Sequence, residues 1–281
     1  MNTAIRYFPA FPRISWKPYL LPLALISVFI LISAAPEAFA PYRPNKLFDP
    51  YMELSAEHIL GTDDMGRDLF SLLVYAARNS MLIGFASGAL AVSIGVAIGL
   101  VSGWYRGLLD DVLMGATDVV LIIPKIPLAI ILAAYLKPGP WILILVLGLL
   151  SWEGVARVIR SRVLQVRSAE FILSAQCLGF SRWYIMTREV LPVIFPLIVP
   201  KFVLMTAGAM LSESSLSFLG LTDTTMLSWG TMISESFTYS GFIRGMWNWW
   251  LPPALCIILS ILAVTSIAFI HERGRRVVIQ S

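Results

Sequence analysis

Charge is scarce in this chain: 14% of its 281 residues are Asp, Glu, Lys or Arg, against about a quarter in a soluble domain. There are two histidines, two cysteines and no Gly-Lys pair. Without Gly-Lys there is no P-loop, because that loop needs its lysine on the phosphates of a nucleotide. His58 and His271 stand outside any H-E-x-x-H arrangement, and no G-x-S-x-G elbow occurs, so the common zinc-hydrolase and serine-hydrolase sites are excluded. Cys177 falls in a polar loop and Cys256 in an apolar run, which argues against a disulfide. No catalytic engine is visible. The chain is expected not to be an enzyme, and to bind no metal or cofactor of its own.

Apolar residues make up 58% of the chain, and mean hydropathy is +0.79. A bilayer accepts such side chains on the outside of helices as well as inside, and each span needs about 20 of them. Six runs qualify: Tyr19 to Ala35, Ser80 to Gly103, Val112 to Leu136, Trp141 to Val158, Val193 to Leu211 and Leu251 to Ile270. The expected fold class is therefore an all-α polytopic membrane protein of about six transmembrane helices. The basic start, the first run and Ala38-Phe39-Ala40 also fit a cleaved signal peptide, but the apolar remainder favours an uncleaved first span.

Lysine and arginine are divided unevenly between the two sides. One side carries Arg6, Arg13, Lys17, Arg106, Arg157, Arg160, Arg162, Arg167, Arg182, Arg188, Arg273, Arg275 and Arg276. The other carries Arg43, Lys46, Arg67, Arg78, Lys137 and Arg244, and Lys125 and Lys201 lie in or beside spans. The positive-inside rule then puts both termini in the cytoplasm of a multi-pass protein of the cell (inner) membrane. Membrane topology also accounts for the net charge of +4 without nucleic acid as a partner. The expected organisation is residues 1–18 cytoplasmic, 19–35 the first span, 36–79 an acidic external segment, 80–270 a core with the other five spans, and 271–281 a cytoplasmic tail. A basic cytoplasmic loop occupies about residues 153–192.

Several residues carry their own expectations. Gly84, Gly88, Ala91, Gly95, Gly99 and Gly103 share one helix face, a close-packing surface first and a subunit interface or pathway lining second. Pro192, Pro196 and Pro200 predict a broken or bent start to the fifth span. Asp118 reads as the only carboxylate deep in a span, either hydrogen-bonded structure or a proton relay. His58, with Asp63, Asp64 and Asp68, is expected to be solvated rather than to hold a metal. Asp63 or Asp64 is expected to cap a helix starting near Asp68, with Arg67 or Arg78 paired to a carboxylate. Trp247, Trp249 and Trp250 read as an interfacial belt.

The stretch Ala169 to Pro192 reads as two short helices about Gly179, which stops the first. Physical reasoning leaves two roles for it: docking into a partner's groove, or lying on anionic headgroups. Its residues Glu170, Ser174, Ala175, Leu178, Gly179, Leu191 and Pro192 resemble the EAA loop of ABC-importer permeases, with Ser174 at the usual second alanine position. Gly61, Thr62, Asp63, Gly66, Arg67, Asp68 and Arg78 stand in a stretch that resembles the LGTDxxGRD…YGARxSL segment of dipeptide and nickel permeases. Leu216-Ser217-Phe218-Leu219-Gly220-Leu221 and Ser228-Trp229-Gly230 resemble their SLSFLGL…SWG segment. The chain departs from the family after its last span, where Glu272-Arg273-Gly274-Arg275-Arg276 replaces an acidic, glycine-rich ending.

Three stretches in family order resemble the C-type permease of the dipeptide/oligopeptide/nickel ABC importers. That resemblance implies a type I importer permease fold and import by alternating access. It implies a second homologous permease, two ATP-binding subunits that use ATP and Mg, an extracytoplasmic substrate-binding protein and surrounding membrane lipid as partners. The EAA-like loop would be the ATPase-coupling element. Peptides are the first substrate expectation, and nickel or a metal chelate the second. An ion-coupled carrier built on Asp118 is the rival from another class, and a purely structural subunit of a larger membrane complex is a third reading.

Overall fold

Long apolar stretches can satisfy their backbone in lipid only as helices, and helices are what these stretches form. The computed structural model describes residues 17–136, 138–223 and 225–279. The order is α1 (Lys17–Ala34), α2 (Pro36–Phe39), α3 (Leu69–Tyr105), α4 (Leu108–Ile122), α5 (Lys125–Leu136), α6 (Pro140–Leu149), α7 (Glu153–Arg167), α8 (Glu170–Cys177), α9 (Arg182–Tyr184), a π-helical stretch Ile185–Val190, α10 (Leu191–Phe218), α11 (Trp229–Thr238) and α12 (Trp247–Ile279). Among the described residues the only β pairing is two isolated bridges, Leu47 with Arg67 and Thr62 with Asp68. Arg6 and Arg13 lie outside the described residues.

Helix α3 is the mast of the molecule, 37 residues long. It starts at Leu69 because Asp68 caps it, accepting a hydrogen bond from the Ser71 amide. The apolar run at Ser80 is therefore already several turns into the helix. α7, α10 and α6 pack against it. Its small-residue face explains how closely they approach. A Cβ at Gly84 or Gly88 would strike Met210 or Thr206 of α10, and one at Gly95, Gly99 or Gly103 would strike α7. The stripe thus serves helix packing within the subunit.

Three helices are long and apolar enough to cross a membrane: Leu69–Tyr105, Arg182–Phe218 and Trp247–Ile270. The third and fourth runs are broken. α4 and α5 meet at 77°, and α6 and α7 at 45°. Pro124 accounts for the first break. It has no N–H, and it forces Ile123 into the extended region (ψ 125°). Pro18–Ala34 is a shorter apolar helix, and it packs on α12 and α3.

Prolines 192, 196 and 200 do not break the fifth span. The helix runs without interruption from Arg182 to Phe218. The adjustment is made one turn earlier, in the π-helical stretch Ile185–Val190, whose wider turn re-phases the backbone before the prolines. The core forms several clusters. One joins Trp104, Val155, Ile159, Val163, Ile172 and Ile185 at the α8 end. Another joins Leu69, Leu72, Met210, Trp229 and Trp249 at the opposite end.

Candidate functional sites

The segment between α2 and α3 folds around one carboxylate. Asp63 is fully buried. Its Oδ1 accepts from the amides of Met65 (2.9 Å) and Arg67 (2.8 Å), and its Oδ2 accepts from Arg67 Nε (2.5 Å). Arg67 Nη2 then reaches Glu235 of α11 at 2.9 Å. Thr62, also buried, receives the Met52 amide and donates to the Asp49 carbonyl. Gly66 sits at φ +82° with the Phe48 carbonyl where a Cβ would stand, and Gly61 at φ +73° is blocked by Met52 in the same way, so glycine is required at both.

Two expectations are overturned here, and a third, a carboxylate partner for Arg67 or Arg78, is met by Arg67. Asp68 itself, rather than Asp63 or Asp64, caps the helix. His58 is not solvated: it is 2% exposed, with Nδ1 2.9 Å from Asp68 Oδ1 and the Phe48 and Tyr42 rings against it. The apolar residues around it could not be assigned from spacing. Arg67 finds its carboxylates, whereas Arg78 is exposed on α3 and makes no ion pair among the described residues. No group of three or more potential metal ligands occurs among the described residues. Burial raises the Asp64 carboxyl above its usual 3.8, with Asp63 adding to the effect. Burial likewise raises Glu235 above its usual 4.5, against the opposing pull of Arg67.

The SWG residues do structural work beside this segment. Ser228 caps α11 through a reciprocal pair with Thr231. Trp229 is buried, its amide donating to Ser80 Oγ and its Nε1 to the Leu73 carbonyl, both at 3.1 Å. Gly220 turns the chain after α10 at φ +70°. Trp249 is fully buried in the core, so it leaves the interfacial belt to the half-exposed Trp247 and the partly buried Trp250.

At the opposite end, α8 is held by one side chain. Ile172 is fully buried against Val163, Val166, Ile185 and Val190, and Ala175 packs partly against the same cluster. Ser174 Oγ turns back to the Glu170 carbonyl. Glu170 lies exposed in the first turn, where its charge suits the helix dipole. The helix stops in a Schellman motif. The Phe180 amide reaches the Ala175 carbonyl (3.2 Å), the Gly179 amide reaches Gln176 (3.0 Å), and Gly179 stands at φ +81° with open space around it. Ser181 then caps α9. Leu191 packs on the core, and Pro192 is exposed at the start of α10.

The outer face of this element is apolar. Leu178 is 77% exposed, Trp183 69%, and Phe171, Leu173 and Phe180 nearly half. Phe180 stacks on Tyr184 at 4.9 Å. The neighbouring surface of α7 is basic, and its arginines are partly committed. Arg160 grips Asp110 with two hydrogen bonds of 2.6 Å, and Arg167 donates to the Trp104 carbonyl. Arg162, Arg182 and Arg188 stay exposed on this side with no ion pair among the described residues.

Charged groups inside the spans depart most from expectation. Asp118 is exposed, not buried, and paired with Arg157 at 2.6 Å. The fully buried carboxylate is Glu213 of α10, which accepts from Ser217 Oγ (2.9 Å) and Ser214 Oγ (3.3 Å). Sequence reading missed it because the apolar run ends at Leu211. The signal was the Ser-Glu-Ser-Ser string, with hydroxyls one and four residues on. Lys125 and Glu153, one at each helix break, form an ion pair that spacing could not reveal.

Comparison with known proteins completes the description. Residues 95–277 match the family model "Binding-protein-dependent transport system inner membrane component". A peptide permease protein of Brucella suis biovar 1 is 31% identical over 252 residues, covering 86% of this chain and 83% of the relative. The oligopeptide transport system permease protein OppC of Lactococcus lactis subsp. cremoris is 33% identical over 239 residues, covering 84% and 80%. The dipeptide transport system permease protein DppC of Bacillus subtilis is 32% identical over 210 residues, covering 74% and 65%. A chain of the inward-facing MetNI methionine ABC transporter superposes with a TM-score of 0.55 at 19% identity, covering 74% of this chain and 95% of that one. That likeness speaks for the fold.

Proposed function

The chain belongs to the family of binding-protein-dependent transport system inner membrane components, and from that premise we propose that it is the membrane-spanning permease subunit of an ATP-driven importer of di- and oligopeptides. The peptide assignment leans on the relatives at about a third identity that are named for peptides. The carrying observation for the coupling role is α8. One buried anchor, Ile172, ties it to the core, while Leu178, Phe180 and Trp183 face outward. The element presents aromatic and aliphatic side chains, with Arg182 exposed beside them, around a rigid glycine turn, which suits a protein groove with an acidic rim.

In this reading the α8–α9 element docks on one of two ATP-hydrolysing subunits. Residues 36–68 face the other side of the membrane, toward a substrate-binding protein, and a second permease completes the path. ATP closes the ATPase pair, and α8 follows it. The motion passes through Ile172 to α7 and the π-helical stretch. Coupling requires that the ATPases bind the two permease states unequally.

Affinity purification of the chain from mildly solubilised membranes tests this, together with peptide uptake in cells lacking it. Recovery of a second permease and ATP-binding subunits, with peptide uptake lost on deletion, is expected. Recovery of the chain alone in the presence of nucleotide, with uptake intact, would overturn the assignment.

A further inference from the structure

The two broken spans carry charges in a place where lipid would not accept them. Asp118 is 54% exposed, Arg157 48% and Lys125 45%, all outward from the subunit. At 1.5 Å per residue the ten residues of α6 rise about 15 Å from Pro140, so the break that follows it and Glu153 just beyond lie within a hydrocarbon layer of about 30 Å. A charged side chain at such depth costs about 3 kcal/mol or more against lipid. Asp118 and Lys125 therefore face water or protein, with Arg157, near the cytoplasmic end of its span, paired to Asp118.

The backbone gives the same answer independently. Non-helical backbone at membrane depth persists where it lines a cavity or is covered by protein. Both breaks, at residues 123–124 and 150–152, lie on this surface and are joined by the Lys125–Glu153 pair. The surface is also open. A Cβ at Gly115 of α4 or at Gly154 of α7, adjoining Glu153, would meet nothing within 4 Å.

Glu153 adds a chemical demand. It is 3% exposed, and Lys125 satisfies Oε1. Oε2 has no hydrogen-bond partner among the described residues. A buried carboxylate with one oxygen unmet favours a second cationic donor. On the permease reading above, we propose that this surface lines the translocation path. Lys125 and Glu153 exchange their mutual pair there for the two ends of a zwitterionic peptide. The peptide's ammonium goes to Glu153 and its carboxylate to Lys125. Asp118 and Arg157 continue the same alternation of sign along the wall. A ligand bearing both charges can replace both partners, so neither is left unpaired when the path opens.

The test uses the assembled transporter in lipid nanodiscs, with Cys177 and Cys256 replaced by serine and peptide uptake first verified in liposomes. Lys125→Cys and Asp118→Cys are exposed to a charged methanethiosulfonate reagent, with Leu23→Cys on α1 as the lipid-facing reference. Modification of both seam positions is expected, with rates that differ about tenfold between nucleotide-free and vanadate-trapped states. Trialanine should slow the reaction at position 125. Reactivity no greater than at position 23, or rates indifferent to nucleotide and peptide, overturns the assignment and leaves the seam as a protein-covered interface. In parallel, Glu153→Gln is expected to raise the KM for peptide uptake about tenfold, the loss of one charge-assisted contact. An unchanged KM in Glu153→Gln, with uptake retained, would reduce the pair to a structural brace. An unreactive seam with uptake still dependent on the chain refutes this inference alone. Uptake that persists without the chain refutes the permease reading beneath it.

Discussion

The two polar ends of the molecule treat their motif residues in opposite ways. In the segment before α3, Thr62, Asp63 and Asp68 are at most 3% exposed, and each is hydrogen-bonded within the chain. In the α8–α9 element, Leu178 and Trp183 are 77% and 69% exposed, and a single isoleucine anchors the helix. The first motif is spent on holding its own loop. The second keeps its side chains for something outside the chain. A motif recognised in sequence can thus mark either a frame or a contact, and burial separates the two.

The largest way to break this contrast is Asp63→Ala. It removes three hydrogen bonds and leaves Arg67 with Glu235 alone. Loss of one partner of a buried charge pair costs about 3–5 kcal/mol. The detergent-solubilised complex should show a much lower melting midpoint and poor recovery on size exclusion. An unchanged midpoint would remove the frame reading of this end.

Gly179→Val comes next. Forcing a β-branched residue to φ +81° costs about 1–2 kcal/mol, but no neighbour is struck. Assembly should survive, while peptide-stimulated ATP hydrolysis falls. Wild-type uptake in this variant would count heavily against the coupling assignment.

Leu178→Ala sharpens the contrast from the other side. As a surface change it should shift stability by less than about 0.5 kcal/mol, yet weaken ATPase capture in a pull-down. If capture is unchanged, the exposed patch is not the contact.

The smallest effect concerns pH. Asp64 and Glu235 are raised above their usual 3.8 and 4.5 by burial. Their contribution is complete below those values and is lost as pH rises through the raised ones. The melting midpoint should therefore drift slightly downward as pH rises from about 4 through the raised range of these groups, and Glu235→Gln should flatten the drift. A steeper drift in the variant would contradict the burial argument.

The sequence by itself determined the membrane class, the presence of the long apolar helices and the family the chain belongs to. Hydrophobic content, helix-length periodicity and glycine turn positions are local properties, readable without contacts. Gly61, Gly66, Gly179 and Gly220 all took left-handed conformations, because a turn's demand on its own backbone is also local. Tertiary structure decided which polar residues pair. Asp118 was exposed and paired with Arg157, and Glu213 was buried on a helix, α10, that runs past Leu211. His58 found Asp68, and Arg67 found Glu235 far along the chain. Lys125 met Glu153 across two spans that each break beside the pair. Burial and pairing of charges depend on which helices lie side by side, and no spacing within one helix carries that information.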